Sequence, residues 1–228
     1  MKKPGLFISL CLTILLSSQI SFAYTIDDPV GDQIGKAVFD IYGIDVLRNA
    51  TGLTFSLYTN YPETGYTVGS WETFAGDLAI DANADGTYEY GFALTTHDGF
   101  SAGSLYNVTS WKISNDYAPS TGYIYNQNQI VTIGEGNALS VPADIQPLPL
   151  DWGWVKLADG HPDYRIDVTL PVSILSVLSD QIGVHWASAT CANDYVTGTA
   201  PVPEPATMLL LGSGLIGLAA CARKKFRK

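Results

Sequence analysis

The stretch GLTFSLYTN, residues 52–60, places Leu53, Phe55 and Leu57 on one side and Thr54, Ser56 and Tyr58 on the other. A period of two belongs to an extended strand, whose successive side chains point to opposite faces. The segment therefore reads as a strand with one face in a core and one in water. Similar runs bounded by Gly, Asn, Asp and Pro lie on both sides: AVFDIYGIDV (37–46), GTYEYGFAL (86–94), SLYNVTSWKI (104–113), GYIYNQ (122–127), QIVTIG (129–134), WGWVKL (152–157), YRIDVTLP (164–171) and IGVHWASAT (182–190). Many short strands without βαβ alternation or a fixed-period repeat predict an all-β fold, an antiparallel β-sandwich of jelly-roll type. Only VSILSVLSD (172–180), with Val172, Leu175 and Leu178 at helical spacing, predicts a short helix, and the Pro-rich segment 137–151 reads as a long loop joining the halves.

Both ends of the chain fall outside this pattern. Residues 1–23 carry Lys2 and Lys3, an apolar run from Leu6 to Leu16, and then Ser21 and Ala23 at the spacing of a cleavage site. They read as a secretory signal peptide cut before Tyr24, since the apolar run is shorter than the ~20 residues that span a bilayer. At the other end Ala206 to Ala222 holds 17 uncharged residues, the lower limit of the ~17–25 that can cross. Arg223, Lys224, Lys225, Arg227 and Lys228 follow directly, and such clusters stay on the cytoplasmic side. The organisation is a signal peptide (1–23), a β-sandwich domain (24–197), a linker (198–205), a single transmembrane helix (206–222) and a basic cytoplasmic tail (223–228).

Val202, Pro203, Glu204 and Pro205, followed by an apolar segment with Gly212, Gly214 and Gly217 and then by the basic tail, resemble the PEP-CTERM sorting signal of exported bacterial proteins. That resemblance implies processing near the motif by exosortase, a membrane-embedded cysteine transpeptidase, and transient anchoring in the inner membrane before release to the cell surface or beyond. It also implies a setting of extracellular polysaccharide and biofilm. Two prolines fix φ and remove backbone donors, so Pro203 and Pro205 hold Glu204 in an extended stretch that a protease can grip. A permanent single-span anchor accounts for the helix and the charges but not for the Pro-Glu-Pro.

From Tyr24 to Ala200 the chain has 21 acidic residues against five basic ones (Lys36, Arg48, Lys112, Lys156 and Arg165), a net charge of −16. So acidic a body repels phosphate backbones, which argues against nucleic acid and favours divalent cations as partners. It holds one cysteine, Cys191, and hence no intramolecular disulfide.

Two acidic constellations are candidates for Ca²⁺. In DLAIDANADGTYEYG, Asp81, Asn83 and Asp85 offer oxygens from alternate residues, Gly86 permits a sharp turn, and the Thr87 carbonyl adds a ligand. The twelfth position of the loop is Phe92, so this is no EF-hand; Asp77 or Glu89 would be the extra ligand, and the same residues also suit an ordinary hairpin turn. The second constellation, in DDPVGDQIGKAVFDIYGIDV, is similar to the opening of DOMON-like and glucodextranase C-terminal sandwiches, relatives of carbohydrate-binding modules that hold a structural Ca²⁺. The resemblance implies Asp28, Asp32 and Asp40 as ligands; a solvated acidic turn is the alternative.

Trp152 and Trp154 lie two apart, so in a strand they face one side and would form a ligand-binding platform for a sugar ring, or else fill the core. His97, His161 and His185 lack zinc-ligand spacing. No nucleophile elbow or phosphate loop occurs. The chain therefore reads as noncatalytic: an exported matrix or surface β-sandwich associated with extracellular polysaccharide. A secreted carbohydrate-active enzyme, which needs two carboxylates facing one cleft, and a purely structural or adhesive matrix protein are the alternatives.

Overall fold

The computed structural model describes residues 22–49, 52–117, 125–140, 151–158, 160–175, 179–202, 212–214 and 216. The strands among them are β1 (Phe22–Asp27), β2 (Ile41–Arg48), β3 (Gly52–Thr59), β4 (Tyr66–Val68), β5 (Trp71–Thr73), β6 (Leu78–Asp81), β7 (Tyr90–Phe92), β8 (Leu105–Ile113), β9 (Ile130–Ala138), β10 (Asp151–Lys156), β11 (Tyr164–Pro171), β12 (Gln181–Ala187) and β13 (Tyr195–Pro201). One sheet has the order β1-β2-β3-β11-β10 and the other β13-β12-β6-β7-β8-β9, while β4 and β5 form a separate ribbon. Every pairing is antiparallel.

The alternation in β3 fixes its register. Phe55 faces Val46 of β2 and Val168 of β11, and Leu57 faces Ile44 and Ile166, so one row of fully or almost fully buried side chains crosses three strands. Across the interior they meet Leu78, Ile80, Phe92, Leu105, Ile182, Val184 and Trp186 of the second sheet in a single core. Each such side chain contributes about 1.5–3 kcal/mol on burial. Trp186 is fully buried, and its indole N–H donates to the Gly76 carbonyl at 3.0 Å, which satisfies its one polar atom.

At one flank β1 and β13, edge strands of different sheets, lie against each other. A Cβ on Gly198 would come within 2.7 Å of Ile26 Cγ2, so glycine there permits the close approach.

Several sequence expectations are corrected. In 37–46, Ala37–Phe39 forms a 3₁₀ turn and the strand begins at Ile41. In 86–94 only Tyr90–Phe92 pairs, because Asp81 gathers the preceding residues into a loop. Gly122–Ile124 lie outside the described residues, and Tyr125 and Asn126 are not in a strand. The helical turn in 172–180 is a 3₁₀ turn at Val172–Ile174, whereas the short α-helix is at Ser114–Tyr117, where Asp116 accepts the Ile113 N–H at 2.9 Å. The stretch Gly198–Pro201, read as linker, is the end of β13: its small and β-branched residues pair with β12 as far as Gln181 opposite Pro201. β1 starts at Phe22, two residues before the expected signal cut.

Of the expected sorting helix, Gly212–Gly214 and Ile216 are helical. Among the described residues no helix is long and apolar enough to cross a membrane. Residues 1–21, Pro203, Glu204, Pro205 and the tail 223–228 lie outside the described residues.

Candidate metal centre and sorting signal

The loop between β1 and β2 is tied to the turn before β13. The Ile34 N–H donates to the Asn193 carbonyl at 2.7 Å, and the Asn193 side-chain amide returns a bond to the Ile34 carbonyl at 2.6 Å. Asp194 accepts the Ile41 N–H at 2.7 Å and the Tyr195 N–H at 2.9 Å, while Asp40 accepts the Gly31 N–H at 3.0 Å. These bonds bring Asp28, Asp32 and Asp194 together, each with a carboxylate oxygen within 4.8 Å of the others.

Oxygens bound to one Ca²⁺ at ~2.4 Å lie at most ~4.8 Å apart, so the spacing suits a shared ion. The donors are all hard oxygens, as Ca²⁺ requires. Asp28 Oδ2 is buried without a hydrogen-bond partner, and so is Gln33 Oε1 in the same loop. Burial, then the charges of Asp194, Asp32 and Asp40, push the Asp28 pKa up to about 8. Burial likewise raises Asp194 to about 7, helped by Asp32 and Asp40 and opposed by its two backbone donors. A divalent cation would relieve this repulsion. Sequence reasoning gave Asp28, Asp32 and Asp40; the structure substitutes Asp194 for Asp40 in the triad and leaves Asp40 beside it, 4 % exposed and engaged with Gly31.

The second constellation is also brought together, as Asp81, Asp85 and Glu89. Here the oxygens are already engaged. Asp81 Oδ1 accepts the N–H groups of Asn83 and Asp85, both at 3.2 Å, and Oδ2 accepts that of Gly86 at 2.7 Å. Asp85 accepts the Thr87 N–H at 2.9 Å and the Asn83 amide at 3.0 Å, and Glu89 accepts the Ala82 N–H at 3.2 Å. Ala84 and Gly86 take positive φ values of 56° and 93°, as a tight turn demands. The carboxylates organise a hairpin loop, with no buried and unpartnered oxygen among them.

Trp152 and Trp154 share one face, and it is the inner one. Trp152 meets Phe92 edge-on at 5.9 Å and covers Gly103; Trp154 meets Tyr164 at 6.0 Å. Both rings are partly buried and pack against the core. Around Gly153 lies a depression of about 220 Å³, lined by Asp151, Trp152, Trp154, Val155, Asp167 and Thr169 as well. Cys191 is fully buried beside Asn193, and burial raises its thiol pKa to about 11.

Beyond the last strand the chain reaches its sorting segment. Val202 is 1 % exposed, belongs to the core, and donates its N–H to the Asp180 carbonyl at 2.7 Å. Residues 201–224 match the PEP-CTERM protein-sorting motif. The PEP-CTERM motif marks an exported protein processed by exosortase, with a membrane-anchoring C-terminus. It covers 24 of 228 residues, so the sandwich lies outside it apart from Pro201 and Val202. No curated protein and no solved structure matches the chain.

Proposed function

We propose that the exported body is a noncatalytic β-sandwich, stabilised by Ca²⁺ held by Asp28, Asp32 and Asp194, that associates with extracellular polysaccharide once sorted. The observation that carries the metal reading is the buried, partnerless Asp28 Oδ2 beside two further carboxylates. Bound there, the ion ties the β1–β2 loop to the turn that starts β13. The noncatalytic reading is supported by the use of the other carboxylates as structural acceptors. Asp167, for instance, binds Arg165 through two nitrogens at 2.9 and 2.7 Å and accepts the Ser56 hydroxyl at 2.6 Å. For polysaccharide, the depression at Gly153 lies along Trp152 and Trp154, with Asp151 to grip hydroxyls.

Thermal melting of the isolated body with and without calcium tests the metal. At several millimolar Ca²⁺, with extracellular-type affinity, the gain is about 1–2 kcal/mol, a rise of a few degrees at this size. Magnesium, which demands tight octahedral geometry, does less. Loss of the response in Asp28→Asn supports the centre; an undiminished response overturns it.

A further inference from the structure

The known event at this C-terminus is processing, and the structure says where the folded body yields to it. β13 stays paired with β12 up to Pro201, and Val202 is then buried in the core and bonded to Asp180. Pro203 follows at once, and its missing N–H bars the ladder from continuing. The motif thus abuts the sheet with no spacer. A protease grips several extended residues on each side of the bond it cuts, and residues locked in a sheet cannot enter such a cleft.

We propose that Val202 is a positioning residue for sorting: it confines the cut to its own C-terminal side and must lift from its pocket before the enzyme can grip the motif. Upstream cleavage would sever a paired strand, whereas cleavage in or just after Pro203-Glu204-Pro205 needs only the strand end to open. Ends of strands open at much lower free energy than the whole domain. When opening and closing are fast, cutting follows the open population. The Val202 latch therefore sets the rate as well as the place, and Asp180, whose carbonyl holds it, lies in the segment leading into β12.

The test uses the full chain in a host carrying the sorting enzyme. Pulse–chase follows precursor and product for wild type, for Val202→Ser, and for a variant with Gly-Ser-Gly-Val inserted between Val202 and Pro203, which keeps Val202 in its pocket and a valine directly before Pro-Glu-Pro; intact mass defines each product. The wild-type product should retain Val202. The spacer variant, whose body is unaltered and should melt as wild type, should be processed on the order of a hundredfold faster, in line with removing the need to break one hydrogen bond and expose one apolar side chain. Val202→Ser should fall between the two. A wild-type product ending before Val202, or a spacer variant processed at the wild-type rate, overturns the proposal, and the spacer result stands even if Val202→Ser folds poorly.

Discussion

His97 Nε2 lies 2.8 Å from Asp77 Oδ2, and the carboxylate beneath it is wholly buried. Asp77 also accepts the N–H groups of Leu94 at 3.2 Å and Ile133 at 2.9 Å, so one side chain joins β6, β9 and the turn carrying His97. The imidazole is the only cationic partner that reaches it among the described residues.

Removing that partner should be expensive. His97→Ala leaves Asp77 with two backbone donors and no countercharge, and should destabilise the body by about 2–3 kcal/mol in chemical denaturation. The pH dependence has a definite sign. Burial lowers the His97 pKa, but the hydrogen bonds and charges of Asp77 and Asp98 outweigh it and hold it above its ordinary value. Burial of Asp77 raises its pKa as well, against the pull of His97 and the two backbone donors. Both groups therefore bind protons more readily folded than unfolded, so stability falls as pH rises through the raised His97 pKa. Lys112 and Tyr117 nearby titrate well above this window. In saturating calcium, wild type should show the slope above about pH 6.5, and His97→Ala should flatten it.

The acidic triad predicts a second slope, at lower pH and sensitive to metal. Asp28 at about 8 and Asp194 at about 7 stand above the ordinary carboxylate value of 3.8. Without divalent cations, stability should thus decline from about pH 4 to pH 8. Calcium should abolish the decline, because it replaces the protons. Melting curves at pH 5 and pH 8, with and without chelator, check this; equal calcium gains at both pH values would contradict it.

Asp81 should behave differently. Asp81→Ala frees the N–H groups of Asn83, Asp85 and Gly86 and should lower stability by about 1–3 kcal/mol, whether or not calcium is present. A loss seen only in calcium would make that loop a metal site after all.

Trp152→Ala should lower the melting temperature, with a loss of about 2–3 kcal/mol for a half-buried tryptophan. Asp151→Asn should leave the melt unchanged and weaken retention on a polysaccharide column. Retention lost in Trp152→Ala at unchanged stability would restore the ring platform.

Elements whose signal is local were legible in the sequence. β3 and β11 fall within a residue of their expected bounds because alternation and flanking turn residues specify them together. The end of β13 was not legible: Gly198, Thr199, Ala200 and Pro201 read as linker, and become strand only through pairing with β12. Tryptophan spacing gave a shared face but not which one, since that depends on the facing sheet. Asp194 was hidden for the same reason. It stands 166 positions from Asp28 in an unremarkable Asn-Asp turn, and only the contact of the β1 and β13 flanks brings the two together.

That flank has a topographic consequence. Ile26 meets Gly198 while Asp28 meets Asp194, so β1 and β13 run in opposite directions and Tyr24 comes to the same pole as Val202. Tyr24 and Val202 thus stand toward one end of this flank and the acidic triad toward the other, with Asp28 four residues from Tyr24 and Asp194 eight residues from Val202. Val202 and the helical Gly212 are ten residues apart, a reach of at most ~36 Å. The sandwich thus begins and ends on neighbouring strands at one edge.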